Sequence, residues 1–200
     1  STGTKTLFEK QDQYKLEHST GVLTFTVGGT QTLTLNFTEK VDTFFHVAAM
    51  RTANSIKLIA LYDTETTYVT TAGLTATTTA NNNEFLIGKG VAGNYFKGYV
   101  DEVRIWHKSF KEEDVITQSS LYIPGTDKYL SAYYRFNENQ GDVFYDLSRT
   151  GFNFHEFHGY MSDNVNWSSI IPNSNQLAVK GITDANGNYT GNETRIINGT

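Results

Sequence analysis

The sequence predicts an all-β chain built as a sandwich of two antiparallel sheets. Three observations predict it. Apolar and polar residues alternate with period 2 in run after run. Strand formers are abundant, with 12 Tyr and 13 Phe among the 200 residues and many Thr. One short segment, 110–115, reads as helix, and no internal repeat points to a propeller or solenoid.

Taken in order, residues 5–9, 14–18 and 22–27 alternate as strands. Leu23, Phe25 and Val27 share one face, and after Gly28-Gly29-Thr30 so do Leu33, Leu35 and Phe37. Two such runs about a Gly-Gly turn form a hairpin. The intervening Thr residues point to solvent, where a β-branched polar side chain suits a strand. Residues 43–51 and 55–62 are the most apolar pair and form a central ribbon through Thr52-Ala53-Asn54; 66–71 follows. The Thr/Ala-rich stretch 75–80 lacks a hydrophobic period to set a register and reads as loop or ragged edge strand. Strands are expected at 84–88, 95–106, 128–136, 143–146 and 154–160. The acidic Glu112-Glu113-Asp114 suits the positive end of a helix. Beyond Pro172, residues 177–190 read as a hairpin about Asn186-Gly187.

Composition excludes several function classes. A net charge of −5, from 16 Lys+Arg against 21 Asp+Glu, gives no electrostatic reason for a nucleic-acid partner or an anionic membrane surface. No run approaches 18 apolar residues, so no transmembrane segment is expected. Cysteine is absent, which removes disulfides, thiolate metal sites and Cys nucleophiles. Without an initiating Met or a signal-peptide pattern, the chain reads as a piece of a longer protein.

The run Phe96-Lys97-Gly98-Tyr99-Val100-Asp101-Glu102-Val103-Arg104-Ile105-Trp106 resembles the F-x-G-x-I/V-D-E-V-R-I-W motif of the concanavalin A-like lectin/glucanase superfamily, in its laminin G-like and pentraxin-like branch. Phe44-Phe45-His46-Val47-Ala48 and Leu130-Ser131-Ala132-Tyr133-Tyr134-Arg135-Phe136-Asn137-Glu138 resemble further family strands in the right order. The resemblance covers about residues 4–170. It implies a jelly-roll β-sandwich over 1–172, with Val100, Val103, Ile105 and Trp106 in its central packing. Residues 173–200 are then a C-terminal β extension or the start of a following module; 181–190 resemble the opening of carboxypeptidase-regulatory-like and immunoglobulin-like modules. Family modules open with two strands for which this chain has no counterpart. The resemblance therefore implies that another segment or subunit completes the sandwich. A tail donated to an identical or neighbouring subunit would build a filament by strand addition.

Candidate sites follow from residue chemistry. Calcium takes carboxylate and carbonyl oxygens, and the resemblance implies such an ion at the sandwich rim, with Asp101 as one ligand. Asp101 and Glu102 are the first candidates, but in a strand the two point to opposite faces and form no bidentate cluster; the alternative is that Asp101 caps or braces a strand and Glu102 faces water. Asn137, Glu138, Asn139, Asp142 and Asp146 place five oxygen-bearing side chains around Gly141, a second candidate for Ca²⁺; hairpin turns collect the same residues without a metal. Asp184, Asn186 and Asn188 alternate like an EF-hand loop, but Arg195 stands where the bidentate Glu is required, so the turn reading holds. His155 and His158 lack a third ligand for zinc. Sugar binding wants exposed aromatics beside hydrogen-bonding groups; Asn94, Tyr95 and Tyr99 are the rim candidates. The paired carboxylates of a glucanase strand are absent, and no enzyme is expected. Asn36, Asn166, Asn188, Asn192 and Asn198 head Asn-x-Ser/Thr sequons. The expected function is a non-enzymatic structural or adhesive module of a secreted or cell-surface protein. The alternative is a carbohydrate-binding module, calcium-dependent in one version, with glycans as partners.

Overall fold

A computed structural model describes residues 3–40, 42–62, 67–148, 157–162 and 165–169. They divide into two compact units, Ser1–Gly98 with Ser109–Glu112, and Tyr99–Lys108 with the residues from Glu113 onward. The secondary structure is mostly β, in several antiparallel sheets, consistent with an all-β, sandwich-like fold.

The first unit holds two sheets. Strands β1 (Lys5–Lys10), β2 (Tyr14–Ser19), β3 (Val22–Val27) and β4 (Gln31–Asn36) form an antiparallel meander. A later strand, β8 (Phe85–Ile87), pairs with the free edge of β1, giving the order β4-β3-β2-β1-β8. The second sheet is β5 (His46–Arg51), β6 (Ser55–Leu61) and β7 (Thr67–Gly73), with β6 central. The alternation predicted for the hairpin holds: Leu23, Phe25 and Val27 face Leu33, Leu35 and Phe37 in burial, and Thr32 and Thr34 are exposed. These side chains join Ile56, Leu58 and Ala60 of β6 in one apolar core fed by both sheets. At the hairpin, Gly28 has φ +60° and a Cβ there would lie 2.3 Å from the Thr77 carbonyl oxygen, so the turn requires glycine on two counts. Residues 75–80 form no strand, which decides for the loop over the ragged edge strand. They cross as an extended strap, held by Gln31, whose amide oxygen accepts from Thr75 and Ala76 and whose amide nitrogen donates to Gly73.

The second unit carries β9 (Val103–Trp106) paired with β10 (Leu130–Tyr134), and β11 (Val143–Phe144) paired with β12 (Gly159–Tyr160). Helix α1 (Glu112–Ser119) runs further than the expected 110–115 and starts at the acidic residues. No helix among the described residues is long and apolar enough to cross a membrane.

Two expectations are corrected here. The long strand at 95–106 shrinks to Val103–Trp106. Glu102 has φ +54°, a left-handed conformation that no pleated strand can continue through, and the chain turns there. Val100, Val103, Ile105 and Trp106 are half-buried rather than central. β9 has β10 as its single partner among the described residues, and the fully enclosed positions of this ribbon fall on Leu130, Ala132 and Tyr133 instead. The tail 173–200, with its expected hairpin and donor strand, lies outside the described residues.

Candidate functional site

The first unit carries an open, largely polar groove of about 460 Å³. One wall is the segment Asn82, Asn83 and Glu84; the other is Lys89 and Val91; Gln11 and Leu86 complete the lining. Each wall is fixed to β1 or the turn after it. Asn81 donates from its side-chain amide to the Gln11 carbonyl at 2.9 Å, Gln13 donates to the Thr79 carbonyl at 3.1 Å, and the Lys10 ammonium donates to the Asn83 carbonyl. On the other side, Gly88 N–H donates to Leu7 O at 2.7 Å, Thr6 N–H to Asn94 O at 3.1 Å, and Val91 N–H to the Glu9 carboxylate at 2.9 Å. Gly90 permits this approach, since a Cβ there would lie 2.6 Å from Thr6 Oγ1. The groove is therefore preformed, with its polar groups carried on tethered backbone.

Tyr95 belongs to the same loop. It is 53% exposed, and the Lys89 ammonium stands 5.6 Å from its ring centroid, a cation–π contact that holds the lysine at the groove lip. Of the three residues expected to bind ligand, the structure thus brings Asn94 and Tyr95 together on one loop of the first unit. Asn94 serves by its backbone, as acceptor for Thr6. Tyr99, 52% exposed, belongs to the second unit.

The residues expected to hold a metal all lie in the second unit. Asp101 Oδ1 accepts from Glu102 N–H at 2.9 Å. Asp146 is buried. Its Oδ1 accepts from Tyr133 N–H at 2.9 Å and Ser148 N–H at 2.8 Å, its Oδ2 accepts from Phe157 N–H at 3.2 Å, and its own N–H donates to His158 Nδ1 at 3.1 Å. It ties together three segments of the chain, around residues 133, 146–148 and 157–158. Glu138 Oε1 accepts from Tyr145 N–H at 2.9 Å, while its Oε2 and the Asn137 Oδ1 are buried without a hydrogen-bond partner. Asp142 is exposed. No group of three or more His, Cys, Asp or Glu able to hold a metal occurs among the described residues.

The sequence reading missed the role of Glu102. Rather than facing water, its carboxylate is 11% exposed and accepts from Arg104 Nη2 at 3.0 Å, Arg135 Nε at 3.1 Å and the Tyr133 hydroxyl at 2.5 Å. The Arg104 guanidinium also donates to Gln118 O at 2.9 Å and Leu121 O at 2.5 Å, placing a cation at the negative end of α1. Arg135 lies 4.1 Å from the Tyr122 ring centroid. Burial, then the Glu102 charge, pushes the Tyr133 hydroxyl well above the ordinary tyrosine range. Burial disfavours the Arg135 cation, but Glu102 and the neighbouring tyrosines outweigh it, and its pKa is raised. Two arginines, one within and one directly after a largely apolar strand, were the available signal, since buried cations require a carboxylate.

Residues 1–116 match the family model Laminin_G_3, described as the concanavalin A-like lectin/glucanases superfamily. That is 116 of 200 residues, and it covers the D-E-V-R-I-W motif and the strands before it; the resemblance drawn over 128–148 lies beyond the match. No curated protein and no solved structure matches the chain.

Proposed function

The chain belongs to the concanavalin A-like lectin/glucanase superfamily, and on that premise we propose that it is a non-catalytic glycan-binding module of a secreted or cell-surface protein, with the two sheets of the first unit as layers of a jelly roll. The groove beside Tyr95 carries the reading. It combines side-chain amides, a carboxylate and an ammonium with an exposed aromatic ring. Amides and Glu84 accept from sugar hydroxyls, Lys89 donates to ring and glycosidic oxygens, and Tyr95 offers an apolar surface. A single carboxylate, Glu84, lines it, whereas retaining and inverting glycosidases use a pair. The test is binding of the purified chain to immobilised glycans. Tyr95→Ala and Lys89→Ala should each reduce capture at least tenfold with the fold intact by circular dichroism. Undiminished capture by both variants would move the site elsewhere.

Calcium enters this reading through the 136–146 loop. The buried, unpartnered oxygens Asn137 Oδ1 and Glu138 Oε2 are of the hard type that Ca²⁺ takes, and an ion there would brace the loop of the second unit. The adhesive, subunit-linking reading is supported by β4 and β5, which stand at sheet edges and offer backbone groups for strand addition. Sedimentation velocity tests it: a monomer at all concentrations argues against self-assembly.

A further inference from the structure

Val91 is out of place in a polar groove. It is 52% exposed, although every other residue of its loop that reaches the lining or lip carries a polar group or an aromatic ring. Nor is it free to turn inward. Its N–H is tied to the Glu9 carboxylate, Gly93 N–H closes the turn onto Gly90 O at 2.9 Å, and Gly90 lies tight against Thr6. The loop therefore holds an isopropyl group in water. Leu86 supplies the other apolar part of the lining. Around these two stand the amides of Gln11, Asn82 and Asn83. A sugar bearing hydroxyls alone covers apolar surface only through its ring C–H groups. A sugar bearing an acetamido group would match both features, because its methyl covers apolar surface while its N–H and C=O meet side-chain amides.

Resting on the glycan-binding reading above, we infer that the groove selects N-acetylated aminosugars over their hydroxyl counterparts. Val91 and Leu86 receive the acetyl methyl, and the amides of Asn82, Asn83 and Gln11 receive the acetamide dipole. One methyl's worth of apolar contact in an enclosed hydrophobic pocket distinguishes ligands by roughly 10-fold or more, which sets the upper scale for this open groove.

The experiment compares two probes with one linkage, the β1,4-linked tetramer of N-acetylglucosamine and the β1,4-linked tetramer of glucose, by isothermal titration with the full chain. Tighter binding of the acetylated tetramer, by up to about tenfold, is expected. Val91→Ser, an exposed position whose backbone bond to Glu9 is retained, should bring the two affinities to near parity. Tyr95→Ala should weaken both. Equal affinities in the parent chain overturn the acetyl selectivity and leave the glycan-binding reading standing. A preference that survives Val91→Ser overturns the assignment to Val91. Absence of heat with either tetramer, together with no capture on the wider set of immobilised glycans, overturns the glycan-binding reading and the selectivity with it.

Discussion

The first unit closes over a layer of aliphatic and aromatic side chains from both of its sheets, whereas the second adds buried carboxylates and arginines to its apolar positions. In the first, Leu23, Val27, Ile56 and Leu58 are fully enclosed, and Thr6 is its single buried polar residue among those described. In the second, Arg135, Asp146 and Ser148 are buried, and Glu102 and Asp146 between them accept six hydrogen bonds from side chains and backbone. The apolar layer is non-directional and degrades gradually as methyl groups are removed. The polar network is all-or-none: a satisfied network rigidifies, and one missing partner leaves buried charge uncompensated. One chain thus uses two ways of excluding water, and they should fail differently.

The chain offers a probe that separates them. Its two tryptophans, Trp106 and Trp167, both lie in the second unit, while most strand residues lie in the first. The largest effect is expected from Glu102→Ala, which strands Arg104 and Arg135 without their carboxylate and should cost about 3–5 kcal/mol. The loss should appear in tryptophan fluorescence at lower urea than in far-UV circular dichroism. Coincident transitions would break the comparison by making the two units one cooperative body.

Leu58→Ala removes a fully enclosed side chain of β6 and should cost about 2–5 kcal/mol. Here the circular dichroism transition should move most, and Leu58→Met should stay under about 1.5 kcal/mol, a tolerance that the Glu102 position should lack even toward Gln. A Glu102→Gln variant as stable as the parent would remove the distinction.

Alkali sharpens it further. Burial, then the charge of Asp146, pushes the Tyr134 hydroxyl up to about 12, and burial and Glu102 raise Tyr133, against about 10 in an unfolded chain. A raised folded-state pKa contributes stability that is complete below pH 10 and lost as pH rises through the folded value. Both residues belong to the second unit. Its fluorescence-monitored stability should therefore fall between about pH 10 and 12. The smallest effect is expected from Trp106→Ala. Half-buried on β9, it should cost less than the roughly 3–5 kcal/mol of a fully buried tryptophan, measured by circular dichroism because the substitution removes a fluorophore.

The meander of β1 to β4, the ribbon of β5 and β6 and the acidic start of α1 were legible in the sequence alone. Period-2 alternation decides which face of a strand is buried before any partner is known, and Leu23, Phe25, Val27, Leu33 and Leu35 fell where the alternation put them. The family was legible in the residues 96–106. What only the tertiary structure decided involves residues distant in sequence or a local backbone choice that composition does not encode. Glu102 meets Arg135 across 33 positions because a left-handed residue delays the start of β9 to Val103 and the Glu102 carboxylate turns inward. β8 reaches β1 after three strands of another sheet have intervened, and the groove exists because Asn83 and Val91 are tethered to Lys10 and Glu9. Alternation is a property of one strand and can be read along the chain; a site is a meeting of several loops, and its geometry is set by long-range hydrogen bonds that no local pattern announces.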